Sequence, residues 1–204
     1  MTSANDLVLP AGPVTAARHP LFIATGSIAA AGTMLMFGML AVWFKFRDAS
    51  GLRPGSGGKL IHDWLPADLK IPEVATNTLA VTMVIAAIMG QWAVYSAARK
   101  DSQHTQLALF ITGLVGIAAI NAQVAIYKQM GAVLADGAYQ TMFYAITGTM
   151  LVLICSGVAF SFVAAFRVLG GRVADRAVVT AHALYWYFLT ATFVALWFVV
   201  YVQK

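Results

Sequence analysis

The chain has few of the side chains that usually carry chemistry. Its 204 residues include eight Asp or Glu, four His and one Cys. No Asp or Glu lies inside the five long apolar runs, at about 21–46, 74–98, 107–127, 140–166 and 180–202. A proton or ion path through a membrane needs ionisable groups within it, so proton-coupled transport is not expected. Cys155 stands alone, which excludes an intrachain disulfide, and it reads as a small hydrophobe within the fourth run. The histidines are scattered. His19, His62 and His104 lie in the tail or loops, and His182 is near the start of the fifth run with no second histidine one turn away. Haem or copper ligation needs paired donors converging on one point. The chain is therefore expected to bind no haem, copper or flavin. The run GSGGKL at 55–60 fails as a phosphate loop, because Arg53 stands where the first glycine belongs and Leu60 replaces the Ser or Thr.

The apolar residues dominate what is present. The chain is 60% hydrophobic and 10% charged, whereas soluble domains are about 25% charged. A bilayer span needs about 20 mostly apolar residues, and all five runs qualify. The expected fold is an all-α membrane protein, a five-transmembrane-helix bundle at 21–204 behind a polar tail at 1–20. The connectors are too short for a second domain, and no internal repeat is visible. The first run follows Arg18 and His19 but is too long for a cleavable signal, so it is expected to stay as a signal anchor.

Net charge is +5. No interleaving of basic and aromatic residues points to nucleic acid, and the charge reads as Lys and Arg flanking the spans. Short loops weigh most in orientation. Arg99, Lys100 and the group Arg167, Arg172 and Arg176 outweigh Lys128, which puts the N-terminus inside and the C-terminus outside. The same three arginines are candidate lipid head-group contacts; an orientation signal alone is the other reading.

The loop 47–73 is the sizeable outer piece. Its glycines predict a flexible first half, and Trp64 and Pro66 an interfacial anchor and turn. The connector 99–106 predicts that spans two and three form an antiparallel hairpin. Gly26, Ala30, Gly32, Gly113, Gly116, Gly148 and Gly157 permit close helix approach. Met34, Met36 and Met39 read as adaptable packing. The intramembrane polar groups are neutral. Asn77, Gln91, Asn121, Gln123 and His182 are candidates for contacts between helices or subunits. Asn121 and Gln123 point in different directions on a helix. Span five is aromatic on all sides, which predicts packing on one face and lipid or protein on the others.

The order of these segments resembles subunit III of haem-copper oxidases in its short five-helix bacterial form. AGTMLMFGMLAVWFKFR at 31–47 is similar to the family's serine–glutamate–x–methionine run ending in arginine. IPEVATNTL resembles the family's entry to the next span, with Pro72, Asn77 and Thr78 in place, and QWAVYSAARKDSQ resembles its exit. GIAAINAQVAIY keeps Gly116, Gln123 and Tyr127, and FYAITG keeps Thr147 and Gly148. The closing segment keeps Tyr185, Trp186, Phe188 and Tyr201. Against that pattern Gly32 and Ile126 replace glutamates, Met150 and Leu153 replace histidines, and Tyr187 and Thr190 replace a histidine and an aspartate. In the family these groups are tied to lipid binding and to proton uptake by the catalytic subunit.

The resemblance implies a non-catalytic subunit of a bacterial respiratory oxidase, in the cell membrane. It would support assembly, stability and lipid packing of the catalytic subunit, whose chains would hold haem and copper. Phospholipids are the other implied partners. An accessory role in a nitric oxide reductase or other membrane oxidoreductase is the alternative reading, and a small transporter the third.

Overall fold

The computed structural model describes residues 20–55, 58–134, 136–171 and 176–203. Five helices form where the apolar runs lie: α1 Pro20–Ala49, α2 Glu73–Ala98, α3 Ser102–Met130, α4 Ala138–Leu169 and α5 Arg176–Leu196. A six-residue π-helix, Trp197–Val202, continues α5. All five are long and apolar enough to cross a membrane. The chain is an all-α, multi-pass membrane bundle. Helices α1 to α4 are each longer than the apolar run within them, and α5 with its π-helical end spans 27 residues.

Local signals set the helix ends. Pro20 is the first residue of α1, where its missing N–H costs little. Asp101 caps α3 by accepting from the His104 N–H at 3.1 Å. The α3 helix ends at Gly131, which takes the left-handed conformation at φ 60°.

The loop after α1 holds a short hairpin that was not expected. Leu52–Pro54 (β1) pairs antiparallel with Leu60–His62 (β2), with Leu52 opposite His62, and residues 56–57 between them lie outside the described residues. Arg53 and Asp63 close the hairpin with an ion pair at 2.9 Å. Gly58, at φ +74°, supplies a conformation that side-chain-bearing residues rarely adopt. Beyond the hairpin, Trp64 packs inward against other rings. It is buried against Trp43 and Tyr139, with ring centroids 5.1 and 5.6 Å away. The loop is thereby tied to α1 and α4. Pro66 does form the expected turn, its carbonyl accepting from Leu69 N–H at 3.1 Å.

Two neighbouring pairs, α2 with α3 and α3 with α4, pack as the short connectors require. The larger surprise is α5. It packs against α1, α2 and α4 and is the most buried span, with 50% of its apolar window inside the bundle. Of its aromatic rings and those of the π-helical end, Tyr185, Trp186, Phe188, Phe193 and Tyr201 are buried in the bundle, while Tyr187 and Phe198 are exposed. Glycines make the room. A Cβ on Gly116 would stand 2.8 Å from Trp186 Cη2, and one on Gly157 would stand 2.8 Å from Leu189 Cδ1. Of the other small residues expected in a seam, Gly148 meets nothing within 4 Å and Ala30 is exposed. Met36 is fully buried, whereas Met34 is 78% exposed.

Candidate functional site

The polar side chains inside the bundle gather on α5. His182 begins this belt, buried among α4 and α5 side chains. Its Nε2 lies 2.8 Å from Ser161 Oγ, which also lies 3.0 Å from Trp186 Nε1 and 2.9 Å from the Gly157 carbonyl. A serine hydroxyl has one hydrogen and two lone pairs. One arrangement satisfies all three contacts: Ser161 donates to Gly157 O and accepts from Trp186 Nε1–H and His182 Nε2–H. His182 Nδ1 is then a bare acceptor, and it has no partner among the described residues. His182 and Trp186 are one turn apart on α5, so one hydroxyl on α4 fixes both.

Further along, Tyr185 Oη meets Ser156 Oγ at 2.5 Å and the Leu153 carbonyl at 3.1 Å. Thr190 Oγ1 donates to the Met83 carbonyl of α2 at 2.9 Å. Gln91 accepts from Tyr187 Oη. Trp197 Nε1 donates to Asn77 Oδ1 at 3.1 Å, and Tyr201 Oη lies 3.3 Å from both amide atoms of Gln123. Tyr127 donates to Thr147 at 2.8 Å, joining α3 to α4. Asn77, Gln91, Gln123 and His182 thus bond across helices. Asn121 does not: it is exposed on the far side of α3 from Gln123. These bonds orient helices, and none places a carboxylate between them.

The six positions at which the resemblance expects ionisable groups are closed by packing or by neutral bonds. A Cβ on Gly32 would lie 2.5 Å from Phe188 Cζ, so α1 and the Phe188 ring fill the space of that side chain. Ile126 and Met150 are buried in the main apolar cluster, and Leu153 packs against it. Tyr187 and Thr190 are held to α2 by the bonds already described. The ring cluster of Trp43, Trp64 and Tyr139 was not foreseen. Trp64 Nε1 and Tyr139 Oη have no hydrogen-bond partner among the described residues. Ser161 was also missed in sequence; its signal is a lone hydroxyl facing a His and a Trp one turn apart on another helix.

The candidate head-group arginines are only partly placed. Arg167 is exposed near the end of α4. Arg176 opens α5 and lines a cleft of about 410 Å³ with Phe22, Ala177 and Thr180. Arg172 lies outside the described residues. Among the described residues no three His, Cys, Asp or Glu side chains gather where a metal ion could be held.

Together the fold and this belt define a class: a helical multi-pass membrane protein whose spans are joined by neutral hydrogen bonds and close glycine–aromatic contacts. The family model for cytochrome c oxidase subunit III matches residues 15–204, and the chain belongs to that family. No curated protein matches the chain.

Proposed function

We propose that this chain is a non-catalytic, subunit III-like component of a bacterial respiratory haem-copper oxidase. It supports assembly, stability and lipid packing of the catalytic subunit, while haem and copper reside in partner chains. Family membership over residues 15–204 carries the reading. The neutral side chains at Gly32, Ile126, Met150, Leu153, Tyr187 and Thr190 support a scaffold rather than a proton-feeding role. Arg167, Arg172 and Arg176 serve anionic head groups at the cytoplasmic surface, where anionic lipids attract Lys and Arg. A nitric oxide reductase as the partner complex is the second reading. The same neutral positions favour it, since such a partner would not require the oxidase carboxylates.

The test is initial turnover against pH for the complex with and without this chain, normalised to haem. Removal is expected to shorten the working life of the complex and leave the initial rate nearly unchanged. An alkaline drop in initial rate that is restored by adding the chain back overturns the scaffold reading. The catalytic chain that co-purifies decides between oxidase and reductase.

In the cell membrane the N-terminus is cytoplasmic and the β1–β2 hairpin external, as the short basic connectors favour. In a chain with Cys155→Ser, an impermeant thiol reagent on intact cells labels Lys59→Cys and spares Ser102→Cys. The opposite pattern inverts the topology.

A further inference from the structure

A hydroxyl or amide in hydrocarbon needs a partner, because lipid tails offer none. Within the apolar runs, the exposed hydroxyls and amides of the described residues keep this rule with one exception. Ser27, Thr78 and Ser156 bond back to carbonyls of the preceding turn. Asn77 and Gln91 hold Trp197 and Tyr187. Asn121 is exposed, and its amide has no hydrogen bond among the described residues.

Its depth makes this costly. The 29 residues of α3 run about 43 Å at 1.5 Å each, against a hydrocarbon core of about 30 Å. Asn121 lies about 13 Å from the Met130 end, hence about 7 Å inside the core. Leu114, Ala118 and Asn121 are exposed and Ala125 half-buried. Their spacing of four, three and four residues makes one stripe along α3, the seam along which helices pack. The two alanines beside Asn121 let a neighbouring backbone approach closely. The α3 helix itself packs on α2 and α4, and neither covers the stripe.

We propose that this stripe is where a transmembrane helix of the catalytic subunit docks, offering Asn121 a neutral hydrogen-bonding side chain or an open carbonyl. The docking rests on Asn121; the identity of the partner rests on the function proposed above. In hydrocarbon the amide recognises a polar group on a helix and has nothing to recognise in an acyl chain.

The experiment uses the assembled complex in native membranes. A photoreactive benzoylphenylalanine replaces Ala118, and a control replaces Val152, which is 68% exposed on α4. The expected result is a covalent adduct from 118 to a haem-bearing catalytic subunit, identified by mass spectrometry, with none from 152. A 118 adduct to a different membrane polypeptide keeps the docking face and overturns the catalytic subunit as its occupant. Adducts only to lipid, or to a second copy of this chain, overturn the docking proposal. Asn121→Leu separates docking from folding. The isolated chain should melt at the same or a higher temperature, while its release from the complex in detergent rises about fivefold, the scale of one hydrogen bond between membrane helices. Unchanged release overturns the role of the amide.

Discussion

Gly32 of α1 and Phe188 of α5 share the space of one side chain. The ring stands 2.5 Å from where a glycine Cβ would be, and Phe188 is itself buried. The two helices therefore meet tightly where the family pattern has a carboxylate. No glutamate fits there unless α1 withdraws or the ring turns away.

Gly32→Ala is expected to cost about 1–3 kcal/mol, the range for overpacking a fitted core. Gly32→Glu should cost more, because it adds a carboxylate that must be solvated or neutralised. Phe188→Ala should recover part of the Gly32→Ala loss. Thermal unfolding of the purified protein in detergent reads all three, and an unchanged midpoint for Gly32→Ala contradicts the contact.

Ser161→Ala removes the acceptor that serves both Trp186 and His182. Two buried donors lose their partner, each at about 1–3 kcal/mol in general and nearer the lower end in a membrane interior. Because both depend on one hydroxyl, Ser161→Ala combined with His182→Phe should cost clearly less than the sum of the singles. Strict additivity in the unfolding midpoints would show that the three side chains act separately.

Tyr201→Phe leaves the Gln123 amide without its partner at the π-helical end of α5. The expected loss is about 1 kcal/mol, with faster amide exchange confined to 197–202. Replacing both residues, Tyr201→Phe with Gln123→Leu, should restore most of the protection, since an apolar pair leaves no orphaned amide.

Asp101 gives a pH signature. The backbone N–H of His104 holds its carboxyl below the ordinary value of 3.8, opposed by slight desolvation and helped by the His104 side chain and Arg99. A carboxyl depressed in the folded state stabilises fully above its unfolded value, and the effect is lost as pH falls through the lowered folded value. Asp101→Asn keeps a capping oxygen but not the charge. The melting advantage of Asp101 over Asn should be present at about pH 5 and fall away as the solution is made more acid. An advantage that grows with acidity would reverse the assignment.

The five spans were legible because 20 apolar residues without a carboxylate leave few alternatives. The placement of α5 was not. Its rings are complementary to Gly32, Gly116 and Gly157 on α1, α3 and α4, and such pairs lie far apart in the chain. Aromatic residues around a helix look the same whether they meet lipid or a glycine groove. The hairpin was not foreseen for a similar reason: glycines mark a turn, but the pairing of Leu52 with His62 shows only in the fold. The loss of ionisable groups at Met150 and Ile126 could be read directly. That their sites are filled by close packing could be seen only in three dimensions.

The contacts of α1 impose an order of events on synthesis. This first helix packs chiefly on α5, the last, and secondarily on α4. As the chain emerges, the ring of Trp43 can meet Tyr139 once α4 is present. The face of α1 around Gly32 stays uncovered until α5 brings Phe188 to it. The α1 helix therefore closes onto the bundle in two stages, first at the Trp43 level and then at Gly32.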